Sequence, residues 1–235
     1  MTQILTLAID IGGSGLKASV LDTLGNMTVD RVRIPTPKPS PPSAVVPTLV
    51  ALTRELPEYH RISVGFPGVV RGGIVYTAPN LGNKAWKGFD LGTALTEALG
   101  KPARLINDAD MQGLGVIAGD GVEMVVTLGT GFGTGLYENG RPAPHLEIAH
   151  LPFQCGQTYD KALGDAGRRH VGNRYWRLLV EEAVGHMRTL TNFDHLYLGG
   201  GNAKRLVDKW ELPNDVTIVS NHAGITGGIR LWDHD

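Results

Sequence analysis

The sequence has little cysteine, few aromatic residues and no excess of charge of either sign. Cys155 is the single cysteine among 235 residues, which excludes a disulfide framework and a cysteine-rich zinc site within one chain. Lysine and arginine number 22 against 23 for aspartate and glutamate, so no net charge favours binding to nucleic acid. Aromatic residues make up 6%, whereas the 32 glycines are typical of a chain with many tight turns.

Long apolar runs are also absent. No stretch approaches the roughly 20 apolar residues that a helix needs to span a bilayer. The first residues lack the basic and then apolar pattern of a signal peptide. We therefore expect a soluble cytoplasmic protein that binds neither membranes nor nucleic acid.

A glycine-rich stretch, LTLAIDIGGSGLK, lies close to the N-terminus. Its apolar run from Leu5 to Ile9 predicts a buried strand, and Asp10 precedes a turn formed by glycines, which tolerate positive φ and close contacts. A carboxylate beside a glycine turn with backbone N–H groups suits a phosphate chain that carries magnesium. An ordinary tight hairpin with Asp10 as a turn residue is an equally good interpretation of this stretch alone.

A second stretch repeats this pattern. Gly13-Ser14-Gly15-Leu16 is matched by Gly133-Thr134-Gly135-Leu136, and an apolar run precedes each. Two such units predict a duplicated architecture with two phosphate-facing hairpins across a cleft. This arrangement is typical of the superfamily that includes sugar kinases, actin and Hsp70.

The remaining chain alternates between predicted strands and helices, so the fold class is α/β. We predict strands over 61–66, 103–106 and 216–219, and helices over 90–99, after Asn173, after Asn202 and over 223–232. The predicted domains are 1–107 and 108–235, with the last helix free to pack back on the first domain.

Two further groups of polar residues suit catalysis or binding. Asn107 and Asp108 follow a buried strand, where α/β sheets place ligands, although an Asx turn or a helix cap explains them as well. His145, Glu147 and His150 do not have the H-E-x-x-H spacing of a catalytic zinc site, so sugar hydroxyls are the better ligand, although a surface turn with a helix-capping histidine also explains them. Gly199–Gly201 suits either a nucleoside or a tight turn.

Taken together, these residues resemble the ROK family of bacterial sugar kinases, and within it the glucokinases that use polyphosphate. The similarity extends over nearly the whole chain and includes an ordered series of motifs. They are Asp10-x-Gly-Gly-Ser-Gly-x-Lys17, Arg33-Ile-Pro-Thr-Pro37, Phe66-Pro-Gly-Val-Val70, Thr77-Ala-x-Asn80 with Trp86, Asn107-Asp108-Ala-Asp110, Leu128-Gly-Thr-Gly131 with Gly133, Glu147-x-x-His150, Gly199-Gly-Gly201 and Asn221-x-Ala-Gly224-Ile.

The resemblance implies a two-domain fold of the ribonuclease H-like, actin and hexokinase type, and a reaction in which Asp108 is the general base. It implies Mg²⁺ held through water by Asp10, ATP or polyphosphate as phosphoryl donor, no zinc, and a homodimer. The implied sugar ligands are Asn80, Asn107, Glu147, His150 and, as the nearest substitute for an expected glutamate, Asp160. The implied donor-binding residues are Asp10, Gly12, Gly13, Ser14, Gly15, Lys17, Gly129, Thr130, Gly131, Gly133, Gly199, Gly200 and Gly201.

Two departures from the family pattern leave the sugar and the level of activity open, and the sequence does not decide the donor. Ala149 replaces the usual glycine between Glu147 and His150, and no glutamate matches the further sugar ligand. A sugar-binding sensor with weak catalysis is therefore an alternative, as is an ATPase of the actin or Hsp70 type, which the short chain disfavours. Polyphosphate would need a basic groove, for which the candidates are Lys17, Lys38, Lys84, Lys87, Arg168, Arg169 and Lys204.

Overall fold

The computed structural model describes residues 3–219 and 225–233. The described residues of 1–115 and 223–235 form one compact unit, unit 1, and those of 116–222 form another, unit 2. The sequence predicted a boundary between residues 107 and 108. In the structure helix α4, Asp108–Leu114, belongs to unit 1, where it packs against a central strand and the C-terminal 3₁₀ helix.

Unit 1 is built on a mixed sheet whose strand order is β3-β2-β1-β4-β7. Three strands form an antiparallel meander, and β4 and β7 continue from β1 in parallel. Two short strands, β5 and β6, pair with each other. The bounds are β1 Thr6–Ile11, β2 Gly15–Leu21, β3 Val32–Pro35, β4 Arg61–Phe66, β5 Val70–Arg71, β6 Ile74–Val75 and β7 Ala103–Asn107.

The helices of unit 1 cover this sheet. They are α1 Pro42–Thr53, α2 Asn83–Trp86, α3 Leu91–Leu99, α4 and a 3₁₀ helix over Thr226–Trp232. The helix predicted from Asp90 is confirmed as α3, because the Asp90 side chain accepts a hydrogen bond from the Thr93 amide at 2.9 Å. Gly100, at a φ of 68°, ends it. Consecutive residues of the central strand β1, such as Leu7, Ala8 and Ile9, are fully buried.

Unit 2 repeats the plan of unit 1. Its strand order is β10-β9-β8-β11-β12, again an antiparallel meander followed by two parallel strands. The predicted duplication is therefore confirmed. The bounds are β8 Val122–Leu128, β9 Phe132–Glu138, β10 Arg141–Pro142, β11 His195–Gly199 and β12 Val216–Ile218.

The helices of unit 2 differ in part from the prediction. They are α5 Tyr159–Leu163, α6 Asp165–Thr191, and 3₁₀ helices over Ile148–His150 and Ala203–Arg205. Gly172, at φ 79° and ψ 157°, interrupts α6, so its longer part begins where the sequence predicted, at Asn173. The helix predicted after Asn202 is the short 3₁₀ helix over Ala203–Arg205.

The C-terminal prediction is corrected in the same way. A helix was predicted over 223–232, and the structure has the 3₁₀ helix over Thr226–Trp232. Residues Asn221 to Gly224 of the last sequence motif lie outside the described residues. Among the described helices, none combines the length and the apolar character that crossing a bilayer requires.

Candidate functional site

The first glycine hairpin joins β1 to β2 in unit 1. Asp10 and Lys17 are cross-strand partners, and the Lys17 Nζ lies 2.7 Å from Oδ2 of Asp10. Positive φ, one of the two reasons given above for these glycines, does not apply, since Gly12, Gly13 and Gly15 all lie outside that region. They are needed for close packing: a Cβ at Gly12 would lie 2.9 Å from the carbonyl oxygen of Gly15.

Two other segments of unit 1 contact this hairpin. The Thr36 hydroxyl donates to the carbonyl oxygen of Gly12, and a Cβ at Gly15 would lie 2.8 Å from Nε of Arg33. A Cβ at Gly13 would lie 3.1 Å from that of Asn80, so the exposed Asn80 is brought to the hairpin despite its distance in sequence. Arg33 and Thr36 belong to the Arg33–Pro37 motif, to which the sequence analysis assigned no role. Ser14, at the tip, is exposed.

Asn107 and Asp108 have different structural roles. The Asn107 side-chain oxygen accepts from the Ala109 amide at 2.8 Å and the Asp110 amide at 3.3 Å, and its amide group donates to the carbonyl oxygen of Gly68 at 3.2 Å. Asn107 is therefore a buried helix cap whose polar atoms are engaged within the fold. Asp108 is the first residue of α4 and is only partly buried.

The N-terminus of α4 lies close to β4 because Gly65 has no side chain. A Cβ at Gly65 would lie 3.3 Å from the Cα of Asp108 and 2.7 Å from the terminal carbon of Met111. Asp108 is thus held at the carboxyl end of a parallel strand pair, as the sequence predicted and as ligand sites in α/β sheets require.

The second glycine hairpin joins β8 to β9 in unit 2. Its Gly129 amide donates to the carbonyl oxygen of Gly131 at 3.0 Å. The Gly129 carbonyl oxygen accepts from the Asp165 amide at 3.0 Å and from the Asn202 side chain at 3.1 Å. Thr130, at the tip, is exposed, and Gly133 pairs with Thr127 across the strands.

Asp160 contacts this hairpin directly. Its Oδ1 accepts from the Phe132 amide at 3.0 Å, and a Cβ at Gly131 would lie 2.0 Å from the same oxygen. Asp160 lies in α5, whose first turn is capped by the Thr158 side chain. The structure therefore places Asp160 against the second glycine hairpin, and its predicted contact with the sugar remains a prediction.

Glu147 lies between two imidazoles in unit 2. Its carboxylate is 3.8 Å from Nε2 of His145 and 3.7 Å from Nε2 of His150. The His145 side chain is 9% exposed, whereas those of Glu147 and His150 are 34% and 60% exposed. Glu147 and His150 are therefore accessible to a ligand, while His145 supports them from within.

The glycines after β11 combine a strained turn with open space. Gly200 has a φ of 89°, and a Cβ there would lie 2.4 Å from the carbonyl oxygen of Leu128. Among the residues that the structure describes, none beyond the immediate neighbours has an atom within 4 Å of a Cβ placed at Gly201 or at Gly129. The backbone at Gly129 and Gly201 is thus open to a bound molecule.

Electrostatics at the second hairpin centre on Asp165. Hydrogen bonding from Arg168, together with Arg169 and Asn202, lowers the pKa of Asp165 below its ordinary value of 3.8. Asp165 is therefore ionised at neutral pH and holds the two guanidinium groups beside the hairpin.

Asp10 provides a test of the implied magnesium site. Within 3–219 and 225–233, no three His, Cys, Asp or Glu side chains are grouped so that they could hold a metal ion. Mg²⁺ in phosphate-transfer proteins is usually held by one or two carboxylates, substrate phosphates and water. A single carboxylate directly before a glycine hairpin fits that pattern.

Comparison with known proteins decides the family, since residues 6–148 match the ROK family. This chain belongs to the ROK family. A polyphosphate glucokinase of Mycobacterium tuberculosis is 30% identical, over 96% of this chain and 90% of the relative. The inorganic polyphosphate/ATP-glucomannokinase of Arthrobacter sp. strain KM is 29% identical, with a TM-score of 0.82 and full coverage of both chains.

The ROK fold is shared more widely than the sequence. A ROK family glucokinase from Streptomyces griseus, solved with glucose and AMPPNP, is 18% identical with a TM-score of 0.76, over 98% of this chain. The predicted family and the predicted actin and hexokinase type of fold are thus confirmed. The three relatives named here are kinases by name, in agreement with the predicted phosphotransferase.

Proposed function

We propose that this ROK protein transfers a phosphoryl group from polyphosphate or ATP to the 6-hydroxyl of glucose or a related hexose. The similarity to a polyphosphate glucokinase along nearly the whole chain is the observation on which this proposal depends. The repeated glycine hairpins and the partly buried Asp108 supply the groups that such a reaction needs.

Asp108 is the proposed general base. Its place at the first residue of α4, fixed by the Asn107 cap and by Gly65, holds a carboxylate at the carboxyl end of β7. A base in this position accepts the proton of the attacking hydroxyl as the phosphorus–oxygen bond forms. Most of the remaining catalysis in phosphoryl transfer comes from positioning and charge stabilisation.

The other predicted site residues bind the substrates. Glu147 and His150 are both accessible and form hydrogen bonds with sugar hydroxyls. Asn80 is a weaker candidate for a sugar ligand. The two hairpins bind donor phosphates through backbone N–H groups, with Gly199–Gly201 beside the donor. Mg²⁺ near Asp10 would neutralise charge on the donor phosphates.

A coupled assay for glucose 6-phosphate, with ATP and polyphosphate as separate donors, tests the proposal. In Asp108→Asn we expect kcat to fall about 10²- to 10⁴-fold, the range of general acid–base catalysis. Asn fits the same space, so the fold is retained. The control is Asp90→Asn, the same change at the N-cap of α3, which should leave kcat unchanged. Absence of turnover with glucose and with a panel of other hexoses would contradict the proposal.

A further inference from the structure

Three arginines lie beside the second hairpin, and we name them the arginine rim: Arg168, Arg169 and Arg205. Arg168 donates to Oδ1 of Asp165 at 2.8 Å, and Arg169 pairs with the other oxygen of Asp165. Arg205 donates through Nε to the side-chain oxygen of Asn202 at 3.2 Å.

The arginine rim is joined to the hairpin through two residues. The Asp165 amide and the Asn202 side chain both donate to the carbonyl oxygen of Gly129, and Asp165 and Asn202 also bond to each other. One short network therefore connects all three guanidinium groups to the turn that the donor phosphates are proposed to occupy.

The arginine rim carries excess positive charge at an accessible surface. Three guanidinium groups against the one carboxylate of Asp165 leave two positive charges in this network. The Arg169 side chain is 73% exposed and Arg205 is also exposed, whereas the Arg168 side chain is 10% exposed and donates in addition to Asn173. Arg168 therefore orders the network, while Arg169 and Arg205 belong to it and are exposed to a ligand.

A polyphosphate chain offers a protein nothing but negatively charged oxygens. Guanidinium groups match such oxygens in charge and in the geometry of paired N–H donors. ATP has three phosphates and a nucleoside, so a rim beyond the hairpin adds contacts for a long polyphosphate that ATP does not make.

We propose that Arg169 and Arg205 bind phosphate groups of a polyphosphate donor beyond the one that is transferred, and so determine the preference for long polyphosphate over ATP. This inference rests on the proposed function of the same site, because it names the donor class that the second hairpin serves.

The test compares the double variant Arg169→Gln, Arg205→Gln with the wild type, using polyphosphate of several chain lengths and ATP. In the wild type the KM for polyphosphate should fall as the chain lengthens. In the variant this dependence should flatten, and the KM for long polyphosphate should rise about tenfold more than the KM for ATP. An equal change in KM for both donors, or none for long polyphosphate, would overturn the inference.

The matched control is Arg141→Gln. Arg141 is the cross-strand neighbour of Glu138, the last residue of β9. The second hairpin lies at the other end of β9, roughly 20 Å away along the strand. This substitution removes one positive charge from the same unit, as replacing either exposed arginine of the rim alone would, and should change neither KM. A rise in the KM for polyphosphate in the control, equal to that in the double variant, would attribute the effect to net charge alone and overturn the inference.

Direct binding separates this inference from the proposed function. Calorimetry with long-chain polyphosphate, without sugar, should show weaker binding in the double variant and a salt dependence reduced by about one for each arginine removed. If the wild type turns over neither donor, the proposed function fails, but the binding measurement still decides the arginine rim. Equal polyphosphate binding by both proteins would overturn it.

Discussion

At the scale of single residues, neighbouring side chains divide the work of the site between structure and chemistry. Asn107 uses its polar atoms to start α4 and to hold the segment after β4, and this fixes the position of Asp108. The glycines divide in a similar way, since Gly13 and Gly131 allow close packing whereas Gly129 and Gly201 face open space. Neighbouring residues of one motif, and glycines of one hairpin, thus have different physical roles.

Gly129→Ala tests the open glycine. Its φ is not positive, and its Cβ would meet no atom of the described part of the chain within 4 Å beyond its neighbours, so the melting temperature should not fall. The added methyl group would occupy space proposed for the donor, so the KM for ATP and polyphosphate should rise several-fold. Gly185→Ala on α6, equally open, is the control for a change in KM. A marked loss of stability in Gly129→Ala would contradict the prediction.

At the scale of elements, short contacts between a helix and a loop define the second hairpin. Asp160 of α5 accepts a hydrogen bond from the Phe132 amide. The amide of Asp165, the first residue of α6, donates to the carbonyl oxygen of Gly129. The second half of α6 is tied to the loop before β12 by the paired hydrogen bonds of Arg188 with Asp215. These helices therefore position the loop that they cover.

Asp160 is expected to act on the donor side. Asp160→Ala leaves the Phe132 amide without its acceptor, so the KM for the donor should rise more than the KM for the sugar, by about three- to tenfold. Asp160→Asn keeps an acceptor and should restore most of the activity. Steady-state kinetics with each substrate varied in turn makes the measurement. A larger rise in the KM for the sugar would instead support the sugar-binding role predicted from the sequence.

The Arg188–Asp215 pair should make part of the stability depend on pH. Hydrogen bonding from Arg188 lowers the pKa of Asp215 below its ordinary value of 3.8. A lowered folded-state pKa contributes stability above the unfolded value, and this contribution is lost as the pH falls through the folded pKa.

Melting temperatures of the wild type and Asp215→Asn, measured between pH 3 and 7, test this dependence. Above about pH 4 the melting temperature of the wild type should exceed that of Asp215→Asn, but only slightly, since exposed ion pairs contribute little. Below about pH 4 this difference in melting temperature should become smaller. Glu138→Gln, at an exposed position in the same unit, is the control. A difference in melting temperature that increases as the pH falls would contradict the prediction.

At the scale of the whole molecule, unit 1 is made of two separate parts of the chain. The C-terminal 3₁₀ helix packs against α4 and the central strands of unit 1, and the carbonyl oxygen of Gly228 accepts from the Ser63 hydroxyl at 2.6 Å. The Trp232 indole donates to the same hydroxyl at 2.9 Å and lies against Arg104, whose guanidinium carbon is 4.2 Å from the ring centroid. The helix that bears Asp108 is thus held by the end of the chain.

Gly227→Ala should disturb both stability and catalysis. A Cβ there would lie 2.0 Å from the carbonyl oxygen of Met111 and 2.6 Å from the Gly115 amide nitrogen, so α4 must shift. Overpacking of this kind costs about 1–3 kcal/mol, and the displaced Asp108 should lower kcat. Urea unfolding and steady-state kinetics check the two effects. The prediction is wrong if kcat and the unfolding midpoint both match the wild type.

Much of this protein could be predicted from local sequence. The strand over 61–66, the helix capped by Asp90 and the two hairpins depend on apolar period, capping side chains and glycine, which act between near neighbours. The order of motifs likewise sufficed to predict the ROK family.

Other features depend on residues far apart in sequence, and no local pattern contains them. The contact of Asp160 with Phe132, of Asn80 with Gly13, and of Arg205 with the hairpin network arise when separate elements pack together. The same holds for Gly13 and Gly15, because Asn80 and Arg33 approach them from other segments and the local sequence does not show this. The sequence by itself thus determined the elements, the family and the catalytic candidates. Tertiary packing alone decided which side chains hold the loops and which are left accessible to a substrate.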